Sequence, residues 1–146
     1  MENHKKFMLE ALKEAQKAFI LDEVPIGAVI VAENKIIARA HNLTQQLNDV
    51  TAHAEMQAIT SAANYIGGKY LTDCTLYVTV EPCFMCAGAL GWSQISNIVY
   101  GAGDSKKGFS QLNQSILHPK TKVIAGILSE ECEALIKEFF LKKRKS

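Results

Sequence analysis

Two short stretches carry residue types that together can hold a metal and move a proton. His53-Ala54-Glu55 sets an imidazole two residues from a carboxylate, and Pro82-Cys83-Phe84-Met85-Cys86 sets two thiols three residues apart. Residues three apart on a helical turn face the same way, so both sulfurs point to one side. Two thiolates and one imidazole make three protein ligands. A catalytic zinc uses three and keeps the fourth position for water, whereas a structural zinc uses four. The chain has no second Cys-x-x-Cys and no downstream His pair to complete a structural site. Glu55 stands close enough to reach that water without being a ligand. Zinc lowers the pKa of bound water to roughly 7, so a nearby carboxylate can carry its proton to a substrate.

Each stretch alone says little. A lone His-x-Glu arises by chance, and a lone Cys-x-x-Cys can be a redox pair, half of a structural site or two buried thiols. Their joint occurrence is more specific, because thirty residues separate His53 from Cys83 and each stretch opens an expected helix after a β element or loop. Helix N-termini and a metal both favour the thiolate.

The elements that must position these residues follow from periodicity. Met1 to Leu21 reads as an amphipathic helix through Phe7, Met8, Ala11, Leu12, Ala15, Ala18 and Phe19. Pro25 ends it. Ile26–Ala32 and Ile36–Ala40 read as antiparallel strands joined at Glu33-Asn34. His41–Val50 is a polar loop. Thr51 is the expected N-cap of a helix over Ala52–Tyr65, stopped by Gly67-Gly68. Cys74–Val80 is a β-branched strand, and Pro82 suits the first turn of a helix reaching Trp92. Ile95–Tyr100 and Thr121–Leu128 are two further strands, with a glycine-rich loop (Gly101–Gly108) and a short helix (Ser110–Leu117) between them. Ser129 is expected to cap a last helix whose end charges suit its dipole. Strands alternating with helices imply an α/β fold, a three-layer α/β/α sandwich.

Composition fits one globular domain over residues 1–146. The chain is 48% hydrophobic and 21% charged, with no internal repeat or linker. No stretch approaches the roughly 18 apolar residues of a membrane span. The polar start lacks the pattern of a secretion signal, so a cytoplasmic protein is expected. In that compartment Cys74 and Cys132 read as small buried hydrophobes, and His4, His41 and His118 as surface or loop residues. The net charge of +1 averages two unlike halves. Residues 1–73 hold 7 basic and 9 acidic side chains, and residues 74–146 hold 9 and 6. Five of those nine basic residues fall in Lys106-Lys107 and Lys143–Lys145. A near-neutral total therefore leaves room for a nucleic-acid partner with a small footprint.

His-x-Glu followed by Pro-Cys-x-x-Cys is the signature of zinc nucleobase deaminases. The whole chain resembles the bacterial tRNA-specific adenosine deaminases of the cytidine deaminase superfamily. The resemblance runs through Glu23–Val29, Asn42, Asp49–Glu55, Thr75–Gly88, Gly101–Lys106, His118-Pro119, Gly126–Cys132 and Phe139-Phe140. It implies a cytidine deaminase-like fold with a central mixed five-stranded sheet. One Zn2+ per subunit would be held by His53, Cys83 and Cys86, with Glu55 as proton shuttle. Asn42 and the Ala54 N–H would meet the base, Ile26 and Val80 would wall its pocket, and Val24-Pro25 would lie beside it. Asp104 and Lys106 would contact the nucleotide backbone, and Phe140, Lys143 and Arg144 would lie along the RNA. The implied reaction is adenosine to inosine at the wobble position of a tRNA anticodon stem-loop, by a homodimer whose two subunits both touch the RNA. Two other readings stay open. Trp92 and a short 111–121 segment suit a deaminase of a free base or nucleoside (guanine, cytosine or cytidine). A structural zinc module that binds RNA or protein is the non-enzymatic reading, and Glu55 speaks against it.

Overall fold

The computed structural model describes residues 2–145. In chain order its elements are α1 (Glu2–Ile20), β1 (Gly27–Ala32), β2 (Lys35–His41), α2 (Ala54–Ile66), β3 (Cys74–Val80), α3 (Phe84–Ser93), β4 (Asn97–Ala102), a 3-10 turn (Phe109–Gln111), β5 (Lys122–Ile124) and α4 (Ser129–Lys145). The strands form one mixed sheet in the order β2-β1-β3-β4-β5. β1 runs antiparallel to β2 and β3, while β4 and β5 run parallel to β3.

Side chains alternate across a strand, and here both faces are apolar. Val29, Val31, Tyr77 and Val99 pack with Phe7, Met8, Ala11 and Leu12 of α1 and Cys132 of α4. Ala28, Ile30, Leu76, Val78 and Ile98 pack with Ala54, Ala58 and Ala62 of α2 and Leu90 of α3. Helices therefore cover both faces, giving the expected α/β/α layers. α1 lies so close on β1 that a Cβ at Gly27 would stand 2.1 Å from the Ala11 carbonyl oxygen and 2.3 Å from the Ala15 nitrogen. The Gly27 N–H donates to Thr79 Oγ1 at 3.1 Å, locking β1 to β3 beneath that contact.

The hairpin turns at Glu33 and Asn34, whose φ values of 50° and 64° suit the tight twisted turn of a two-residue loop. Other boundaries move. Thr51 is not the α2 cap, because Asp49 Oδ1 accepts both its N–H (2.8 Å) and its hydroxyl (2.7 Å). His53 holds the cap position instead. Pro82 lies before α3, which is capped by Cys83. The expected 110–117 helix shrinks to the 3-10 turn, and the Ile116 carbonyl sits over Gly91 of α3, where a Cβ would come within 2.4 Å. β5 stops at Ile124 because the chain bends back, Gly126 and Ile127 both donating to the Tyr100 carbonyl. No helix among the described residues is long and apolar enough to cross a membrane.

Candidate active site

Two metal-ligand types cap two helices. His53 and Cys83 occupy the N-cap positions of α2 and α3, both with extended backbone, and neither side chain caps its own helix. Both are therefore free of that duty and face each other across the joint between α2 and α3. Cys86, one turn into α3, is fully buried beside them. His53 Nδ1 stands 3.6 Å from Cys83 Sγ and 3.5 Å from Cys86 Sγ. A tetrahedral zinc with ordinary bond lengths needs an N···S edge of about 3.6 Å. The donor set thus fits such an ion in both kind and spacing, and it is the one group of three metal-capable side chains found among the described residues.

The trio is already polarised. The Cys86 thiol donates to Cys83, and with His53 it pulls Cys83 well below the ordinary thiol range. Cys86, as that donor and buried, is shifted up. The His53 imidazole is raised, chiefly by its bond to Cys83. Cys83 is thus already a thiolate at neutral pH, and a metal entering here displaces the proton of Cys86.

Glu55, in the first turn of α2, is buried, and burial pushes its carboxyl up to about 7. Such a group can take and release a proton near neutral pH. Asn42, also buried, closes the site from the loop after β2. Its N–H donates to the Ile26 carbonyl at 3.1 Å, and its Oδ1 accepts the Ala54 N–H at 2.8 Å.

The MafB19-like deaminase family model matches residues 2–144. The tRNA-specific adenosine deaminase of Bacillus subtilis is 45% identical over 144 residues, covering 95% of this chain and 89% of the relative. The chain belongs to the tRNA-specific adenosine deaminase family. A solved structure from a study of A-to-I editing by tRNA:A34 deaminases at the wobble position matches with TM-score 0.84 and 42% identity, over 89% of this chain and 98% of the other. The X-ray structure of guanine deaminase from Bacillus subtilis matches with TM-score 0.66 and 39% identity, over 68% of this chain and 64% of that one.

The remaining residues singled out in this deaminase family member lie on several separate elements. Pro25 is buried and Ile26 half-buried at the start of β1, next to Asn42. Val80 ends β3 one residue before Glu81 and pairs with Ala102. The Ala54 N–H is taken by Asn42 Oδ1, so it does not stand open toward a base. Asp104 Oδ1 accepts the N–H groups of Lys106 and Lys107, each at 3.0 Å, so this carboxylate shapes its own loop. Lys143 pairs with Asp22 and lies 5.7 Å from the Phe139 ring centre, which fixes the end of α4 to the turn before Val24. Phe140 and Arg144 are exposed on α4.

Two further buried carboxyls, Glu23 and Glu81 (the latter expected near the site), hold backbone partners the sequence did not announce. Glu23 is fully buried and accepts from Thr44 Oγ1 (3.3 Å), the Gln45 N–H (3.1 Å) and the Gln46 N–H (2.7 Å). Glu81 accepts from the N–H groups of Asp104 and Ser110. The available signal was an acid within two residues of a proline, which is weak.

Proposed function

We propose that this chain, acting as one domain over residues 1–146, hydrolyses adenosine to inosine at the wobble position of a tRNA anticodon, with zinc held by His53, Cys83 and Cys86. The observation that carries the reading is a buried Glu55 beside a three-donor cluster spaced for a tetrahedral metal. The full-length likeness to enzymes named for this activity supports the choice of substrate.

Zinc bound at the trio would supply Lewis acidity that makes water nucleophilic near neutral pH. Glu55 takes a proton from the attacking water, passes it to adenine N1 and then moves a proton to the departing amino nitrogen. The C6–O bond forms, the C6–N bond breaks and ammonia leaves. The Asn42 Oδ1 is committed to Ala54, so its NH2 end faces the base edge. Ile26 and Val80 form apolar walls, with Val24-Pro25 alongside. The base must leave its stack to enter. Asp104, Lys106, Phe140, Lys143 and Arg144 track the RNA. Met85 and Trp92 stand seven residues apart on α3, 36% and 86% exposed, and this outward apolar face suits a second subunit. A homodimer working in the cytoplasm on tRNA is the arrangement we assign.

Free-base deamination is the rival. Trp92, which suggested it, lies nine residues along α3 from Cys83, about 13 Å at the helical rise, so it does not wall the base pocket. The deciding experiment incubates zinc-loaded protein with an anticodon stem-loop and with free purines and pyrimidines. Inosine in the stem-loop supports the proposal. Ammonia from a free base with an unchanged stem-loop replaces it with the rival.

A further inference from the structure

Glu81 sits between the metal cluster and the glycine-rich loop, and both its carboxyl oxygens are spent on that loop. Oε1 accepts the Asp104 N–H at 3.0 Å and Oε2 accepts the Ser110 N–H at 2.8 Å. The two amides lie at the two ends of one excursion of the chain. Between them, the Gly108 N–H donates to the Asp104 carbonyl and the Phe109 N–H donates to the Pro82 carbonyl, both at 3.0 Å. Gly108 also bridges to Cys83. A Cβ at Gly108 would come within 2.3 Å of the Glu81 carboxyl carbon, so the loop folds down onto the glutamate with no room to spare. Glu81 itself is buried, and its own N–H donates to the Ala102 carbonyl at 2.8 Å, where β4 runs into the loop.

We propose that Glu81 is a positioning residue for the substrate: by pinning both ends of the 104–110 loop it holds Asp104 and Lys106 at a fixed place beside Cys83. The carboxyl neither takes part in the chemistry nor binds the metal. It makes the 104–110 segment a fixed edge of the site, because two bonds from one carboxyl set position and orientation together. The loop then meets the nucleotide backbone already ordered, and the ordering entropy is not charged to binding. This role rests on the deaminase reading above.

The test uses the zinc-loaded full chain with Glu81→Gln, which keeps the shape but turns one acceptor into a donor facing an N–H, and with Gly108→Ala, which crowds the same clamp from the loop side. Three quantities are read: hydrogen exchange at residues 104–110, zinc per chain, and KM and kcat on the anticodon stem-loop. The expected result is exchange in the loop about tenfold faster with the sheet strands unchanged. KM should rise about tenfold, kcat should stay within about threefold, and zinc content should not change. Unaltered loop protection overturns the proposal. So does faster exchange spread over the whole sheet, or a fall in kcat at constant KM. If Gly108→Ala fails to fold, the near-isosteric Glu81→Gln still decides. If the unmodified protein leaves the stem-loop untouched, the substrate reading fails, while the exchange result still passes judgement on the clamp.

Discussion

Removing the Glu23 carboxyl should loosen the loop that presents Asn42 and cost a measurable share of the whole protein's stability. In Glu23→Ala three donors lose their acceptor: Thr44 Oγ1, Gln45 N–H and Gln46 N–H. The hydroxyl bond is long at 3.3 Å and contributes little. The two amide bonds to a carboxyl would each be worth about 1.5–3 kcal/mol if nothing replaced them. Gln45 and Gln46 are exposed, so water recovers about half of that, leaving a net loss of about 1.5–3 kcal/mol. For a chain of this size that lowers the melting temperature by about 5–10 °C. The assay is urea unfolding followed by circular dichroism, with zinc held at one fixed excess so that metal linkage does not vary. Thr44→Val is the control, and its long bond predicts a loss under about 1 kcal/mol. A Glu23→Ala unfolding free energy within about 0.5 kcal/mol of the unmodified protein, or a Thr44→Val loss as large as that of Glu23→Ala, refutes the account of Glu23 as the loop's anchor.

Glu55→Ala should retain fold and zinc, measured by circular dichroism and metal analysis, while deamination drops by at least about a hundredfold; activity near the unmodified level rules out the proton shuttle. Gly27→Val places branched carbons where the Ala11 carbonyl stands 2.1 Å from a hypothetical Cβ. α1 must lift off β1, at a cost of about 3 kcal/mol or more in denaturant unfolding. Burial raises the Cys132 thiol to about 12 and raises Cys74 as well. At pH 8 both remain protonated and out of reach, so Ellman's reagent should find neither in the folded, zinc-loaded protein and both after denaturation. Rapid labelling in the native state would contradict their place in the core.

The chemistry was legible because its residues are local in sequence. His53 and Glu55 share one turn, Cys83 and Cys86 share another, and the layered sheet follows from strands that are apolar on both sides, such as Ala28–Val31. The hairpin at Glu33-Asn34 announced itself through a residue that tolerates left-handed backbone. What stayed hidden depends on distant partners. Thr51 looks like a helix cap until Asp49 claims its hydroxyl. Ser110–Leu117 offers helix-compatible residues, but the chain there is held by Glu81 and laid across Gly91. Glu23 and Glu81 are single acids whose partners are backbone amides 22 and 29 residues away, and no side-chain pattern marks an amide as a partner. Lys143 reads as one charge in a basic run, yet it meets Asp22 across 121 residues.

The sheet order also divides labour along the chain. β2, β1 and β3 are contiguous in the sheet, and with α2 and α3 they supply all three metal donors and Glu55 before residue 94. β4, β5 and α4 are then added in sequence along the opposite edge, bringing the loop and helix proposed above to meet the RNA. These side chains are complete in sequence before β4, yet the sheet beneath them is finished only when β4 pairs with β3 and Gly108 bridges to Cys83. Changes to β4 or to the buried face of α4 reach the earlier half directly, because Ile98, Val99, Ala102 and Cys132 share its two cores. Glu81, just past the end of β3, is one joint between the two, holding Asp104 and Ser110 where the β3–β4 pairing ends.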